Sequence, residues 1–186
     1  MKKNNNSKNY LITGTSSGIG NVLARYLLSK KHNVIGIARS KKNINSKNYT
    51  HISEDISKKD SVKKISDILR YQKIKLDGLI NNAGINIPNK FSKISRADFD
   101  QVMDVNLAGP FFLTQKIISL IKREGSIVNI SSFSAISGGP VSSHYAISKA
   151  GIEAFTKNLS IFLSKKKVRV NAISPGLIRT RLAKNF

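Results

Sequence analysis

Tyr145 and Lys149 are the two residues whose types and spacing most directly indicate chemistry. Residues four apart on a helix share one face, about one turn from each other. A phenol in that position can give a proton to an oxygen atom that gains negative charge, and a nearby ammonium favours the phenolate that remains. A Tyr and a Lys at this spacing also occur as an ordinary surface pair. Other residues of the sequence are therefore needed to decide whether this pair is catalytic.

Two further polar residues are candidates for the same site. Ser132 precedes Tyr145 by thirteen residues and ends an apolar run, and Asn106 lies in a long helical stretch before that run. A serine hydroxyl can hydrogen-bond the oxygen of a reacting carbonyl and fix its orientation. His144 is adjacent to Tyr145, but on a helix its side chain points about 100° away. We interpret His144 as structural or substrate-facing rather than as the base.

A glycine-rich turn with the sequence TGTSSGIG covers residues 13–20 and separates a predicted strand from a predicted helix. Glycine permits the tight turn and lets the backbone approach a pyrophosphate, whose charge the helix start favours. A glycine run alone indicates only a turn, whereas the strand–turn–helix context predicts a dinucleotide site. The expected contacts are Gly14, Ser16, Ser17, Gly18, Ile19 and Gly20.

The end of the second predicted strand bears on the choice between NAD(H) and NADP(H). An Asp or Glu there would accept hydrogen bonds from the adenosine ribose and repel a 2′-phosphate. This chain instead has Ala38-Arg39-Ser40, where Arg39 offers a planar donor group to a phosphate and Ser40 offers a further donor. We therefore expect NADP(H) to be favoured over NAD(H). The alternative is an arginine that is merely solvated at a strand end.

The motifs occur in an order that resembles the short-chain dehydrogenase/reductase family, in particular the bacterial β-ketoacyl-carrier-protein reductases. They are the glycine turn at 13–20, Asn-Asn-Ala-Gly at 81–84, Ser132 with Tyr145-x-x-x-Lys149, and Pro-Gly at 175–176. The resemblance covers almost the whole chain. It implies an enzyme that moves a hydride between NADP(H) and a carbonyl or secondary alcohol, with a small-molecule or acyl-chain carbonyl as substrate.

The resemblance also assigns roles to four catalytic residues. Tyr145 would exchange a proton with the substrate oxygen, and Ser132, favoured over the adjacent Ser131 by its spacing, would orient that oxygen. Lys149 would hold the nicotinamide ribose, and Asn106 would hold a water that links Lys149 to solvent. Lowering the pKa of a phenol from about 10 to about 7 takes about 4 kcal/mol, much of which Lys149 and the positive nicotinamide of the oxidised cofactor can supply together.

Further cofactor contacts follow from the same resemblance. The acidic and aliphatic residues after the third strand would contact the adenine, although an Asp that simply precedes a helix is an alternative. The Asn-Asn-Ala-Gly backbone would lie along the cofactor, while its amide side chains would brace the sheet. The Pro-Gly segment, otherwise a plain turn, would contact the nicotinamide carboxamide. The residues implied are Asp55, Ile56, Asn81, Ala83, Gly84, Tyr145, Lys149, Pro175, Gly176, Ile178 and Thr180.

Short β-branched runs alternate with amphipathic stretches, which predicts an α/β fold with a parallel sheet. We expect a Rossmann-type doubly wound sheet between two helical layers, with the ligand at the carboxyl ends of the strands. Family members usually continue for several dozen residues beyond the Pro-Gly motif. The substrate lid and the seventh strand are therefore expected to be absent, and strand six becomes an edge. The six strands are predicted at 10–13, 33–38, 49–52, 77–81, 126–131 and 168–173.

Helices are expected between these strands. Ser57 is expected to cap the second helix and Ser95 a long helical region that bends near Gly109-Pro110 and ends at Gly125. Residues 134–143 are expected to form a loop and residues 144–164 a helix. The first helix, at 18–30, has an expected apolar face of Val22, Leu23, Tyr26 and Leu27.

One NAD(P)-binding domain is expected over residues 1–186, with residues 1–8 as a flexible tail. In the family, the helices that carry Asn106 and Tyr145 form a dimer interface, so we expect a homo-oligomer. Two interpretations of the short form stay open. It is either a working reductase, completed by self-association or given as a partial chain, or a catalytically weak NADP(H)-binding remnant.

The formal net charge of +22, from 32 basic and 10 acidic residues, raises the alternative of a polyanion-binding protein. The basic residues are spread over both halves of the chain, so we interpret them as solvated surface and expect no specific nucleic-acid partner. No apolar run reaches the roughly 18 residues of a membrane helix, and the first one is too short for a signal peptide. With no cysteine and no His/Asp/Glu cluster, we expect a cytoplasmic protein without membrane or metal.

Overall fold

The computed structural model describes residues 7–41, 44–139, 142–180 and 182. Within these ranges, six parallel strands form one sheet in the order β3-β2-β1-β4-β5-β6. This is the order of a doubly wound Rossmann sheet, whose winding reverses between β1 and β4, and the predicted fold class is confirmed. The strands are β1 (Asn9–Thr13), β2 (Asn33–Ala38), β3 (Tyr49–Ser53), β4 (Leu76–Asn81), β5 (Ile121–Ile130) and β6 (Arg169–Ile173).

Helices cover both faces of this sheet. Apolar side chains of α2, α4 and α6, such as Ile65, Leu113 and Leu159, pack on one face, and α1 packs on the other through Ala24. No helix in the described ranges is long and apolar enough to cross a membrane. The helices are α1 (Gly18–Ser29), α2 (Lys59–Tyr71), α3 (Arg96–Met103), α4 (Gly109–Ile117), α5 (Ser134–Ser137) and α6 (Ser143–Leu163).

The predicted apolar face of α1 is partly wrong. Val22 is 69% exposed and Tyr26 is 57% exposed, although Leu23 and Leu27 do pack against the core. The residues that α1 buries are Gly20 and Ala24. These small residues, four apart, let the helix lie close to the sheet, and a Cβ on Gly20 would collide with the carbonyl of Gly14.

One of the two predicted helix caps is found. The hydroxyl of Ser95 accepts a hydrogen bond from the N–H of Asp98 at 3.0 Å and caps α3 as expected. Ser57 does not cap α2, because its own N–H and hydroxyl both donate to the Asp55 carboxylate, at 3.0 and 2.8 Å. The acidic residue before Ser57 therefore forms the turn, and α2 begins at Lys59.

The long helical region contains a π turn at Asp104–Ala108, just before Gly109-Pro110, where the sequence predicts a bend. Pro110 has no N–H to donate to the preceding turn, which favours an irregular helix at this point. The region ends in a 3₁₀ turn at Ile118–Leu120, so Gly125 is not its end. Gly125 instead lies in β5, which begins at the buried Ile121 and is irregular where it passes Leu76 and Gly78 of β4.

The segments at the ends of the sheet also differ from expectation in detail. Part of the predicted 134–143 loop forms the helical turn α5. Of the predicted N-terminal tail, residues 1–6 lie outside the described ranges, while the Ser7 hydroxyl donates to the carbonyl of Lys31. Among the described residues β6 pairs with β5 alone, and its last residue, Ile173, is 53% exposed.

Candidate active site

A cleft of about 550 Å³ opens at the carboxyl ends of the strands, where the winding of the sheet reverses. Its walls are the segments that follow each of the six strands. Most of the predicted site residues line it: Gly14, Ser16, Ser17, Gly18, Ile19, Arg39, Asp55, Ile56, Ala83, Gly84, Ser132, Tyr145, Lys149, Pro175, Gly176, Ile178 and Thr180. The predicted residues absent from this lining are Gly20, Ser40, Asn81 and Asn106.

The turn after β1 has the backbone that a phosphate-binding turn requires. Gly14 and Gly18 have positive φ angles of 76° and 56°, a conformation that glycine adopts without strain. Ser17 is the N-cap of α1, and its side chain makes no capping hydrogen bond. The first N–H groups of α1 are therefore not capped by Ser17, and Gly18 and Ile19 line the cleft, so the residues present fit the pyrophosphate of a dinucleotide.

Asn82 joins the turns after β1 and β4. Its side-chain amide donates to the carbonyls of Thr13 and Gly14 at 2.9 and 3.2 Å. In return, the Thr13 hydroxyl oxygen accepts from the N–H groups of Asn82 and Ala83, at 3.0 and 2.9 Å. Asn82 lines the cleft, although only Asn81, Ala83 and Gly84 of this motif are predicted as cofactor contacts. The repeated Asn in Asn-Asn-Ala-Gly is the signal that could have identified it.

Asn81 supports the sheet from inside rather than facing the cleft. Its side chain is buried and donates to the Asn129 amide oxygen at 2.8 Å and to the Thr114 hydroxyl at 3.1 Å. Asn129 donates in turn to the hydroxyl of Thr156 at 2.8 Å. This buried polar network links β4, β5, α4 and α6 and fixes the strand ends on which the cleft is built.

The segments after β2 and β3 form the end of the cleft that would receive the adenosine. The Arg39 guanidinium lies 3.8 Å from the Asp55 carboxylate, and the Arg39 side chain is 64% exposed. Ile56 is buried and lines the same wall. Because this pair is solvent-accessible, it is weakly held, and the guanidinium can turn toward an anion in the cleft.

Tyr145, Ser132 and Lys149 converge at the other end of the cleft. The hydroxyl of Ser132 hydrogen-bonds to the phenol of Tyr145, which is 8% exposed. The Lys149 ammonium donates to the carbonyl of Ile130, the last residue of β5, at 2.8 Å. The same nitrogen lies 5.7 Å from the centre of the Tyr145 ring. One proton donor, one hydroxyl and one cation therefore face the same space.

Asn106 lies in the π turn and is 1% exposed. Its amide oxygen accepts from the N–H of Ile85 at 2.8 Å, and its amide nitrogen donates to the Ile85 carbonyl at 2.9 Å. The same nitrogen group also donates to the hydroxyl of Ser148 at 3.0 Å. Asn106 thus holds the segment after β4 against α6, behind the wall of the cleft.

The two neighbouring serines after β5 have different surroundings. Ser131 is buried and its hydroxyl donates to the Glu153 carboxylate at 3.0 Å, whereas Ser132 faces Tyr145. The same Glu153 oxygen accepts from the hydroxyl of Ser174 at 2.7 Å. Glu153, which the sequence analysis did not identify, therefore fastens the ends of β5 and β6 to α6. Its position four residues after Lys149 is the only sequence signal for it.

Comparison with known proteins identifies the family. The family model described as short chain dehydrogenase matches residues 8–186. The chain belongs to the short-chain dehydrogenase family. A Thermotoga maritima protein named 3-oxoacyl-[acyl-carrier-protein] reductase FabG is 33% identical over 95% of this chain and 76% of that protein. A Klebsiella pneumoniae sorbitol-6-phosphate 2-dehydrogenase is 34% identical over 90% of this chain and 68% of that enzyme.

Solved structures of short-chain dehydrogenases have the same fold as this chain. A family member from Francisella tularensis superposes with a TM-score of 0.91 at 32% identity, over 96% of this chain and 73% of that one. A Brucella melitensis 3-ketoacyl-(acyl-carrier-protein) reductase in complex with NADH gives a TM-score of 0.88 at 28% identity, over 96% and 79%. This chain is therefore a member of an oxidoreductase family whose structures include dinucleotide complexes.

The electrostatics of this short-chain dehydrogenase differ from the expectation for Tyr145. Burial raises the pKa of Tyr145 above its ordinary value, and the hydrogen bond from Ser132 opposes that rise only in part. Burial also lowers the pKa of Lys149 to about 8. Burial therefore favours the protonated phenol of Tyr145 in the protein alone. His144 does not line the cleft, and burial lowers its pKa.

The buried ammonium of Lys149 makes stability depend on pH in a defined direction. Unfolded lysine stays protonated to a pH of about 10.5, whereas folded Lys149 loses its proton near pH 8. Between these values the unfolded state binds more protons, so the cost of burying the charge falls as the pH rises. We expect wild type to gain about 2 kcal/mol of unfolding free energy relative to Lys149→Met between pH 7 and pH 9.5.

Urea denaturation of both proteins at the two pH values measures this change, because other titrations cancel in the difference. Lys157→Met, at an exposed position of the same helix, is the control and should show no such change. A difference between wild type and Lys149→Met that is the same at pH 7 and pH 9.5 would contradict the buried-cation interpretation.

Proposed function

We propose that this chain is an NADP(H)-preferring oxidoreductase that transfers a hydride between the cofactor and a carbonyl or secondary alcohol. The observation that carries the proposal is the convergence of Ser132, Tyr145 and Lys149 at one end of a cleft whose other end is the glycine turn. The bound dinucleotide would supply or accept the hydride. Substrates of the relatives, an acyl-carrier-protein thioester and a sugar phosphate, support a small-molecule or acyl-chain carbonyl.

The four catalytic residues act on the proton and on the position of the substrate. Tyr145 donates its proton to the carbonyl oxygen as negative charge develops there, and Ser132 hydrogen-bonds the same oxygen. The raised pKa of Tyr145 keeps the phenol protonated, which suits the reducing direction at neutral pH. The carbonyl of Ile130 holds Lys149 at the cleft, where its ammonium would bind the cofactor ribose, and Asn106 fixes the neighbouring wall.

Tyr145→Phe tests the proton-transfer role. Removing the hydroxyl should lower kcat at least about 1,000-fold, because the substrate oxygen loses its proton donor. NADPH binding should change less than about twofold, because the ring remains in place. Turnover is measured as NADPH consumption in assays with a panel of acyl thioesters, aldehydes and ketoses. Quenching of NADPH fluorescence measures binding.

Tyr26→Phe, at an exposed position of α1, is the matched control and should retain full activity. Turnover that survives in Tyr145→Phe would refute the catalytic assignment. Tight NADPH binding by a wild type that reduces none of these carbonyls would instead favour the catalytically weak cofactor-binding interpretation.

The NADP(H) preference rests on the segment after β2. No carboxylate follows Ala38 there, and the exposed Arg39 guanidinium stands at the cleft wall with Asp55 as its only ion-pair partner among the described residues. A 2′-phosphate would offer Arg39 a stronger, charge-assisted contact than this 3.8 Å pair. Several structural neighbours were solved with NADH or NAD⁺, which is a property of those proteins.

Arg39→Ala tests the cofactor preference. We expect the Kd for NADPH to rise about 10- to 100-fold, since the charged hydrogen bonds to the phosphate are lost. The Kd for NADH should change less than about threefold. Equal effects on both cofactors would refute the preference. Arg123→Ala, at an exposed position near the start of β5 and away from the carboxyl ends of the strands, is the control for the general loss of positive charge.

A second copy of this chain is the proposed partner, bound along α4 and α6. Leu107, Phe111, Ala154 and Phe155 line an apolar groove of about 510 Å³ there, and Phe112 beside them is 52% exposed. The groove runs along the helices that carry Asn106 and Tyr145, and its small residues let another helix pair approach closely. An isologous pairing of this face would bury the phenylalanines of both copies.

Ala154→Arg tests this interface. We expect wild type to sediment as a dimer or larger assembly and Ala154→Arg as a monomer, because the new cation would be buried against apolar side chains. Sedimentation velocity at micromolar concentration measures the state. Tyr71→Arg, at an 89% exposed position of α2, is the control and should leave the assembly intact. A monomeric wild type would contradict the proposal.

A further inference from the structure

A chain of hydrogen-bonded side chains runs from the glycine turn to the Arg39–Ser40 segment. The hydroxyls of Thr15 and Tyr49 lie 2.9 Å apart, and the Tyr49 hydroxyl lies 3.3 Å from Nδ1 of His51. Nε2 of His51 lies 2.9 Å from the carbonyl oxygen of Ser40. We propose that Tyr49 and His51 are positioning residues that fix the Arg39–Ser40 segment for recognition of the 2′-phosphate, and this proposal rests on the NADP(H) preference above.

The directions of these hydrogen bonds follow from what each atom can do. The Ser40 carbonyl can only accept, so Nε2 of His51 carries the hydrogen. In the neutral ring Nδ1 is then an acceptor, and it receives the Tyr49 hydroxyl hydrogen. The Tyr49 oxygen is left to accept from the hydroxyl of Thr15. Every donor in the chain therefore has one acceptor, and the His51 tautomer is fixed.

Gly36 makes room for this arrangement. It lies beside His51 in the pairing of β2 with β3. A Cβ at this position would collide with the Tyr49 hydroxyl and would lie 2.6 Å from the Thr15 hydroxyl oxygen. The absence of a side chain at Gly36 lets the Tyr49 ring cross β2 and reach Thr15, which is fully buried. The hydrogen-bonded chain from Thr15 through Tyr49 and His51 to Ser40, called the relay below, therefore depends on the packing of the sheet.

A second side chain of β3 acts in the same way as His51. Ser53, two residues further and on the same side of the strand, donates to the carbonyl of Arg39 at 3.3 Å. β2 ends at Ala38, so the carbonyls of Arg39 and Ser40 lie beyond the strand ladder. Side chains of β3 satisfy both carbonyls.

The contacts of these two carbonyls with β3 determine which groups of the Arg39–Ser40 segment can face the cleft. A carbonyl oxygen carries partial negative charge and would repel a phosphate, whereas N–H groups and the Arg39 side chain attract one. Because the carbonyls of Arg39 and Ser40 are fixed toward β3, the segment can present its donors to an anion. If the His51 contact is lost, the Ser40 carbonyl is free to turn toward the anion.

His51→Ala tests the relay. We expect the Kd for NADPH to rise about fivefold and the Kd for NADH to change less than about twofold, because NADH lacks the charged 2′-phosphate that would make the strongest contact with this segment. His51→Gln should return the NADPH Kd to within about twofold of wild type, since its amide nitrogen can donate to the Ser40 carbonyl. His32→Ala, at a histidine outside the cleft, is the control and should change neither Kd.

The tautomer gives a second measurement that needs no cofactor. Two-bond ¹H–¹⁵N spectra of wild type should show hydrogen on Nε2 of His51, and Tyr49→Phe should shift the Nδ1 resonance. Hydrogen on Nδ1 of His51 in wild type would overturn the relay. This result does not depend on whether any variant folds. A wild type that prefers NADPH but responds equally to both cofactors in His51→Ala would also overturn it. A wild type that binds NADH as well as NADPH would refute the NADP(H) preference and the relay together.

Discussion

Thr13 and Asn82 join the two halves of the sheet at the point where its winding reverses. The two strands that carry these residues end side by side, and beyond their ends the ladder no longer pairs the backbone. The Asn82 amide and the Thr13 hydroxyl replace the missing ladder with four hydrogen bonds. The glycine turn and the segment before Ile85 are thereby fixed relative to each other, and both walls of the cleft depend on that relation.

The buried ammonium of Lys149, at the end of the cleft near Tyr145, lowers the stability of the folded state. The chemistry of the site explains why a charged group lies there. Lys149 is buried with one hydrogen bond to a backbone carbonyl in the described structure, and burial alone lowers its pKa to about 8. A buried ammonium of this kind destabilises the folded state near neutral pH, where the group still carries its charge. A hydrophobic residue would pack there at lower cost. The presence of a lysine beside Tyr145 and Ser132 is therefore better explained by function than by folding.

Much of this arrangement could be predicted from the sequence because it is local. The spacing of Tyr145 and Lys149 on one helix, and the glycine turn between a strand and a helix, are set by neighbours in the chain. The alternation of β-branched runs with amphipathic stretches predicts the parallel sheet, and the rule of right-handed crossovers predicts that it is doubly wound. For these features, local geometry and the fold restrict the answer to very few arrangements.

The features that the sequence predicts wrongly or not at all are those that tertiary contacts determine. In α1, two sets of positions four apart could face the sheet, and Gly20 with Ala24 is buried in place of Val22 with Tyr26 because it permits closer approach. Periodicity does not distinguish these sets. The link between Tyr49 and Thr15 needs the register of β3 against β2 and the gap at Gly36, neither of which the sequence displays.

One kind of contact recurs around the cleft, in which a side chain holds a backbone group of a neighbouring element. It determines which substitutions remove only a catalytic group and which also weaken the wall of the cleft. Backbone groups at or beyond the strand ends are held by side chains of a neighbouring element: His51 holds Ser40, Asn106 holds Ile85, and Lys149 holds Ile130. Substituting Asn106 or Lys149 therefore removes a support of the wall as well as a candidate catalytic group. The Tyr145 hydroxyl pairs with Ser132, a side chain, and supports no backbone group among the contacts found in the described structure. Loss of turnover in Tyr145→Phe consequently reports on proton transfer, whereas the same loss in the Asn106 or Lys149 variants has two physical causes.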